Sequence, residues 1–272
     1  MISIDTSIDD HRTAAHDVHS AIPGAVRLIA TKEAGELLAS PRGLAWLAML
    51  TAVLSAFSLL FVANTELSLL DNAQVVYTML GVVTVLGALL AVVAGADAIA
   101  GERERGSLMP LLLAPVSRRQ LLLGKLGGPM AAWATMLVLA GPYLWAVGSS
   151  GQYLFSGGVI LALLGTPVVL GFGFAALGLG ARLGSSRTAL SLCLTGLVLS
   201  ASPLLLGPSL RQSAIGRAFD AVNPISGALN AYDAIVIDSQ SILTQGVHAL
   251  PVVAWLALTL WFAIRSVNSL SR

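Results

Sequence analysis

The sequence predicts an all-α integral membrane protein of six transmembrane helices with both termini on the cytoplasmic side. Three observations predict it. Apolar residues fill 56% of the 272 positions and Asp, Glu, Lys and Arg only 11%, against about 45–50% and about 25% in soluble domains; the mean hydropathy is +0.83. Six stretches meet the roughly 20 apolar residues that a helix needs to cross a hydrocarbon core: Leu44–Ala63, Val75–Ala96, Met130–Gly148, Val159–Ala181, Ala189–Leu210 and Val247–Ile264, none with an Asp, Glu, Lys or Arg inside. The basic residues then fix the orientation by the positive-inside rule. Thirteen of the fifteen fall on one side (Arg12, Arg27, Lys32, Arg42, Arg103, Arg105, Arg118, Arg119, Lys125, Arg182, Arg187, Arg265 and Arg272), and Arg211 and Arg217 fall on the other.

The same figures exclude several classes. Eleven per cent charge cannot cover a water-facing surface or hold a chain disordered. A net charge of +1 without a basic run gives nucleic acid no footprint. A single cysteine, Cys193, can form no internal disulfide. The spans hold no ionisable group at depth of the kind that ion-coupled transporters use, so energy for uphill movement is expected from another protein.

Taken in order, residues 1–21 read as a disordered cytoplasmic tail. Its His11, His16 and His19 lie beside Asp9, Asp10 and Asp17 without the spacing of a metal site, and no metal is expected there. No apolar run precedes residue 40, so the first span is expected to serve as its own insertion signal. Residues 22–42 read as an interfacial helix carrying Lys32, Glu33 and Glu36, followed by the permeating domain over 43–264 and a tail over 265–272. Gly87, Ala91 and Gly95 form a small-residue ladder on the second span, and Gly171, Gly173, Gly178 and Gly180 crowd the fourth; such residues let helix backbones approach. Pro142, Pro167, Pro203 and Pro251 are expected to kink or break their helices.

The segment 97–128 carries the densest local signals. The second span can run on as helix through Glu102, Arg103, Glu104 and Arg105, with Gly106 as its stop. Ser107 can cap a short rod through Ala114, with Pro110 tolerated in its first turn and Pro115 ending it. Ser117 and Gln120 have capping-box spacing, and Val116 and Leu121 that of a hydrophobic staple, so a new helix should start near Arg118. The rod would be roughly 12 Å long. It would pair an apolar surface of Leu108, Met109, Leu111, Leu112 and Leu113 with flanking charge, including Arg118 and Arg119. Both a protein groove and the lipid headgroup layer would suit such a surface.

The run Glu102-Arg103-Glu104-Arg105-Gly106-Ser107, then Leu112-Leu113-Ala114-Pro115-Val116-Ser117-Arg118, then Leu123-Gly124-Lys125 resembles the cytoplasmic loop of ABC-2 type transporter permeases. Lys32-Glu33-Ala34-Gly35-Glu36-Leu37-Leu38 followed by Ser40-Pro41-Arg42 is similar to that family's stretch before the first span. The loop is also similar to that of the permeases of nitrous-oxide-reductase copper-site maturation. The resemblance implies the transmembrane permease subunit of an ATP-binding cassette exporter. ATP and magnesium would sit on a separate cytosolic ATPase subunit, with no cofactor and no catalytic residue on this chain. A second permease copy would complete the pore, and an extracytoplasmic accessory protein would be a further partner. In this picture Glu102, Arg103, Glu104, Arg105, Gly106, Ser107, Leu111, Leu112, Pro115, Arg118 and Arg119 dock the ATPase. The path lies between copies of spans two and five, in a bacterial inner membrane.

Two features remain outside that picture. The outer connection 211–246 is split by Asn223-Pro224, and Ser226 is expected to cap a second helix through Ala228–Ile237 that gates the exit or lies on the surface. Gly148-Ser149-Ser150-Gly151 with His248 has the letters of a six-span intramembrane serine protease, an alternative reading beside a passive scaffold or pore. Against the protease, Ser150 falls in a short outer connection and a four-letter match is weak.

Overall fold

The computed structural model describes residues 24–63, 72–107, 116–148, 154–204 and 213–269. Helix α1 spans Ala25–Ala39 and α2 spans Pro41–Ala63. Proline at 41 disfavours helix at the residue before it. Ser40 accordingly takes φ −80°, ψ 150° and turns its hydroxyl to accept the Gly43 N–H at 3.0 Å, which separates α1 from α2. Helix α3, Asn72–Glu104, is unbroken over 33 residues, roughly 50 Å at 1.5 Å per residue, and so outruns a bilayer core of about 30 Å. It ends in a Schellman turn. Gly106 takes φ +73°, its N–H reaches the Arg103 carbonyl at 3.1 Å, and the Ser107 N–H reaches the Glu102 carbonyl at 2.9 Å. Only glycine occupies that left-handed conformation without cost.

Helix α4 covers Arg118–Lys125 and α5 covers Gly127–Gly148. The start at Arg118 is fixed by a complete capping box. The Ser117 hydroxyl accepts the Gln120 N–H at 3.2 Å, and the Gln120 side chain accepts the Ser117 N–H at 3.0 Å. Helix α6, Leu154–Ile160, passes through a π turn, Leu161–Gly165, into α7, Thr166–Arg182. Pro167 sits in the first turn of α7; it offers no N–H and its ring crowds the carbonyl four residues back, which the wider π turn relieves. Helix α8 covers Ser186–Ala201 and tightens to a 3₁₀ turn at Pro203. Two short helices, α9 (Ala214–Val222) and α10 (Pro224–Val236), precede α11, Gly246–Asn268. No strand occurs among the described residues.

Six of these helical stretches are long and apolar enough to span a membrane: Gly43–Phe61, Asn72–Glu104, Arg119–Ala146, Leu154–Arg182, Ser186–Leu204 and Gly246–Asn268. They overlap the six predicted stretches, with helix continuing beyond the apolar run in the second, third and fourth; the end of the fifth, residues 205–210, lies outside the described residues. Burial sorts them into a centre and a periphery. The apolar window of α3 is 67% buried, whereas those of α2 and α11 are 17%. Span two, expected at an interface between copies, is thus the most enclosed of the six spans. It packs most extensively on α7, where a Cβ on Gly95 would lie 2.8 Å from the Gly173 carbonyl oxygen. Its ladder serves two neighbours, because a Cβ on Gly87 would instead meet the Trp133 ring of α5 at 2.5 Å. The core around them holds Leu50, Leu54, Met79, Leu80, Met136, Phe172 and Tyr232; a smaller cluster of Ile99, Leu122, Leu177 and Val267 lies toward the end where α3, α7 and α11 finish.

Candidate functional site

Three elements converge where α3 ends. Its Schellman turn stops the chain just past Glu102, the capping box starts α4 beside it, and α1 packs across both α4 and the start of α5. The approach of α1 is close. A Cβ on Gly127 would lie 2.5 Å from the Cα of Ala30, and one on Gly124 would lie 2.6 Å from the Cβ of Ile29.

Lys125 stands at the centre of this junction with its side chain 1% exposed. Its ammonium lies 2.6 Å from Glu33 Oε1 on α1 and 2.6 Å from Glu102 Oε1 on α3. Lys32 approaches the same Glu102 oxygen at 3.5 Å and Glu36 at 3.5 Å. The Glu102 side chain is 8% exposed, and its Oε2 is buried with no hydrogen-bond partner. Buried charges are costly unless paired, and removing one member of such a pair leaves the other uncompensated. Burial pushes the Glu33 carboxyl up; Lys125 pulls it back, Glu102 and Glu36 push again, and the pKa ends raised. Partial burial pulls the Lys32 ammonium down, but Glu36, Glu102 and Glu33 outweigh it, and its pKa is raised.

The other charges at the end of α3 also turn to their own chain. Arg103 donates to the carbonyls of Ala181 at 3.0 Å and Leu183 at 3.3 Å, satisfying the end of α7 where a cation is favoured. Glu104 accepts the Ser186 N–H at 2.8 Å, placing a carboxylate at the start of α8. Arg105 bonds Asp97 at 3.2 and 3.3 Å. Arg182 on α7 donates to Ser266 on α11 at 2.9 Å. The ends of α3, α7, α8 and α11 are therefore stitched together, with α1 and α4 bound in through Lys125.

The structure places Glu102 inside the chain and puts Arg103, Glu104 and Arg105 on intramolecular partners. Gly106 and Ser107 form the turn that stops α3. Arg118 opens α4, and Arg119 follows it with an exposed side chain. Leu111, Leu112 and Pro115, with the rest of the rod after Ser107, lie outside the described residues. Lys32, Glu33 and Glu36 are brought into the junction. Sequence reasoning gave Lys125 no role beyond its motif, and it missed Asp97 and Ser186. The signal for Lys125 was present, since a lysine within Leu121-Leu122-Leu123-Gly124-Lys125-Leu126 is almost never buried without a partner.

Residues 27–268 match the ABC-2 family transporter protein family. The chain belongs to that family. It is a membrane permease subunit of an ABC transporter. No curated protein matches it.

Elsewhere in this ABC-2 permease, helices α9 and α10 correct one expectation. The cap of α10 is Asn223 and not Ser226: the Asn223 side chain accepts the Ile225 N–H at 3.0 Å, with Pro224 in the first turn. Proline is preorganised for that position, so the helix starts earlier than Ser226 would allow. Asn223 also donates to the Ser200 carbonyl at 2.8 Å, and Ser226 donates to Asp220 at 2.8 Å. The permease buries α10 rather than laying it on the surface; Tyr232 is 0% exposed and its hydroxyl meets that of Thr84 at 3.0 Å. The preceding α9 has no buried residue and exposes Ile215 and Val222. His248 is half-buried in the first turn of α11, and Ser150 lies outside the described residues. Among the described residues, no three His, Cys, Asp or Glu side chains gather as a metal-ligand set.

Proposed function

We propose that this ABC-2 permease works as half of an ATP-driven exporter, with ATP and magnesium bound on a separate cytosolic ATPase subunit seated against residues 107–115. Both termini and that segment face the cytoplasm of a bacterial cell, and a second copy completes the pore. The observation that carries the reading is the Lys125 junction. The segment leaves one side of the junction at Ser107 and returns at Val116, so a push on it reaches α1, α3 and α4 through short charged contacts. A rigid mount of this kind passes on a rigid-body displacement that a loose loop would absorb. The contacts to the ATPase fall to the leucines, Arg119 and the exposed Glu36, while Glu102 acts as the anchor beneath them.

The apolar runs of the spans have no charge inside, which suits an apolar or amphipathic cargo. The buried α10, held to α3 by Tyr232 and Thr84, forms the wall at the exit end. The test is co-purification of ATPase activity with the tagged permease from native membranes. Leu111→Glu with Leu112→Glu should abolish it while leaving thermal unfolding of the permease unchanged. Full retention of ATPase activity by that double variant would overturn the reading.

A further inference from the structure

Charge at the end where α3, α7 and α11 finish is unevenly settled. Toward α1 the cations meet carboxylates: Lys32, Arg105 and Lys125 pair with Glu36, Asp97, Glu33 and Glu102. Toward α7 and α11 they do not. Arg182 and Arg265 are exposed, and among the described residues neither forms an ion pair with an Asp or Glu. No Asp or Glu occurs in α7, in α11 or in α4, which packs on α11. The carboxylates near the end of α3 are engaged elsewhere, Asp97 by Arg105, Glu102 by Lys125 and Glu104 by the Ser186 N–H.

The two guanidiniums are nonetheless held in place. Arg182 lies over the Phe262 ring at 4.7 Å and spends its Nε–H on the Ser266 hydroxyl at 2.9 Å. Arg265 lies over the Trp261 ring at 5.1 Å. An aromatic face attracts a cation without neutralising it, so both charges remain to be met. Trp261 and Phe262, being successive, stand about 100° apart around α11, and the two arginines flank the strip of surface between them. Leu258, three residues before Trp261 and four before Phe262, lies below both rings and is exposed. The strip sits at headgroup level. Every exposed residue of α11 from Val247 to Ile264 is apolar. That run is about 27 Å of helix at 1.5 Å per residue, close to a hydrocarbon core of about 30 Å. Arg265 is the first charge beyond it.

We infer that this strip binds an anionic phospholipid of the adjoining leaflet, its phosphate held by Arg182 and Arg265 and an acyl chain lying on Phe262 and Leu258. Guanidinium forks take phosphate oxygens in pairs of hydrogen bonds, and basic sites between spans take anionic headgroups in this way. The ring contacts fix both forks before the lipid arrives, which lowers the ordering cost of binding. A zwitterionic headgroup would bring its own cation up to the arginines; an anionic one does not. The inference holds whichever subunit drives the permease.

The full chain in detergent micelles tests it, titrated with phosphatidylglycerol or phosphatidylcholine carrying brominated acyl chains. Quenching of Trp261 is read as the difference between each protein and its own Trp261→Tyr derivative. Saturable quenching is expected from phosphatidylglycerol at a concentration roughly tenfold below that needed with phosphatidylcholine. Arg182→Gln with Arg265→Gln should erase that preference. Arg265→Gln alone should erase most of it; this variant parts only from the Trp261 ring and so guards against a folding defect in the double variant. Arg27→Gln, which removes an equal exposed charge from α1, should leave the preference in place. Equal quenching by the two lipids, a preference retained in the double variant, or an equal loss in Arg27→Gln would overturn the inference. So would displacement of phosphatidylglycerol by inorganic phosphate at the same concentration, since the site would then bind a free anion and no lipid.

Discussion

Lys125→Met isolates the energetics of the junction. Methionine keeps the length and most of the volume of the side chain, so the change removes charge and donors with little loss of packing. Two carboxylates, each 2.6 Å from the lost ammonium, then remain where Glu33 is 10% exposed and Glu102 is 8% exposed. Of these two carboxylates Lys32 approaches Glu102, at 3.5 Å, while shared with Glu36 and 58% exposed, so it compensates weakly. Breaking a buried pair in this way costs about 3–5 kcal/mol, and protonation of one carboxylate limits the loss. The assay is denaturant unfolding of the detergent-solubilised permease followed by tryptophan fluorescence. The triple variant Glu33→Gln, Glu102→Gln, Lys125→Met should recover most of the loss, because a junction emptied of charge no longer bears the desolvation cost. A single variant within about 0.5 kcal/mol of wild type, the range of an ordinary surface substitution, would refute the reasoning.

Two further predictions concern pH and the cap of α10. The raised pKa of Lys32 means that its stabilisation is fully present below the ordinary lysine value of 10.5 and is lost as pH rises through the higher folded-state value; unfolding midpoints between pH 9 and 11.5 should therefore fall more steeply for wild type than for Lys32→Met, and parallel curves would contradict this. Asn223→Ala removes the cap of α10 and the bond to Ser200, and should destabilise by about 1–2 kcal/mol, with faster hydrogen exchange at Ile225, whereas Ser226→Ala leaves the Ile225 amide protected.

The spans, the Schellman stop and the capping box were legible because each is encoded within a few residues: an apolar run, a glycine after the last turn, a serine three before a glutamine. Asn223 was legible too, since the proline after it marks the first helical position, and the choice of Ser226 passed over that mark. The destinations of Glu102, Arg103, Glu104 and Arg105 were not. Four successive helical residues step about 100° apart and so sweep the whole circumference. One faces α1 and α4, one the end of α7, one the start of α8 and one Asp97 a few turns back. Which neighbour stands at each bearing is decided by packing that only the assembled bundle supplies. The run therefore reads as charge turned toward a partner when met alone. The glycine ladder behaves alike: its spacing announces close approach, but its division between α5 and α7 depends on where those helices lie.

The stitched ends of α3, α7, α8 and α11 have a mechanical corollary. A beam clamped at one end flexes at its weakest section along the free length. In the fourth span that section is the π turn at Leu161–Gly165, where the ladder of main-chain bonds is slackest. The Tyr232 hydroxyl and the Trp133 ring stand against it, each about 3.2 Å from where a Cβ on Gly165 would sit. On the proposed function, a displacement of the charged end would bend the fourth span there, deep among its helices.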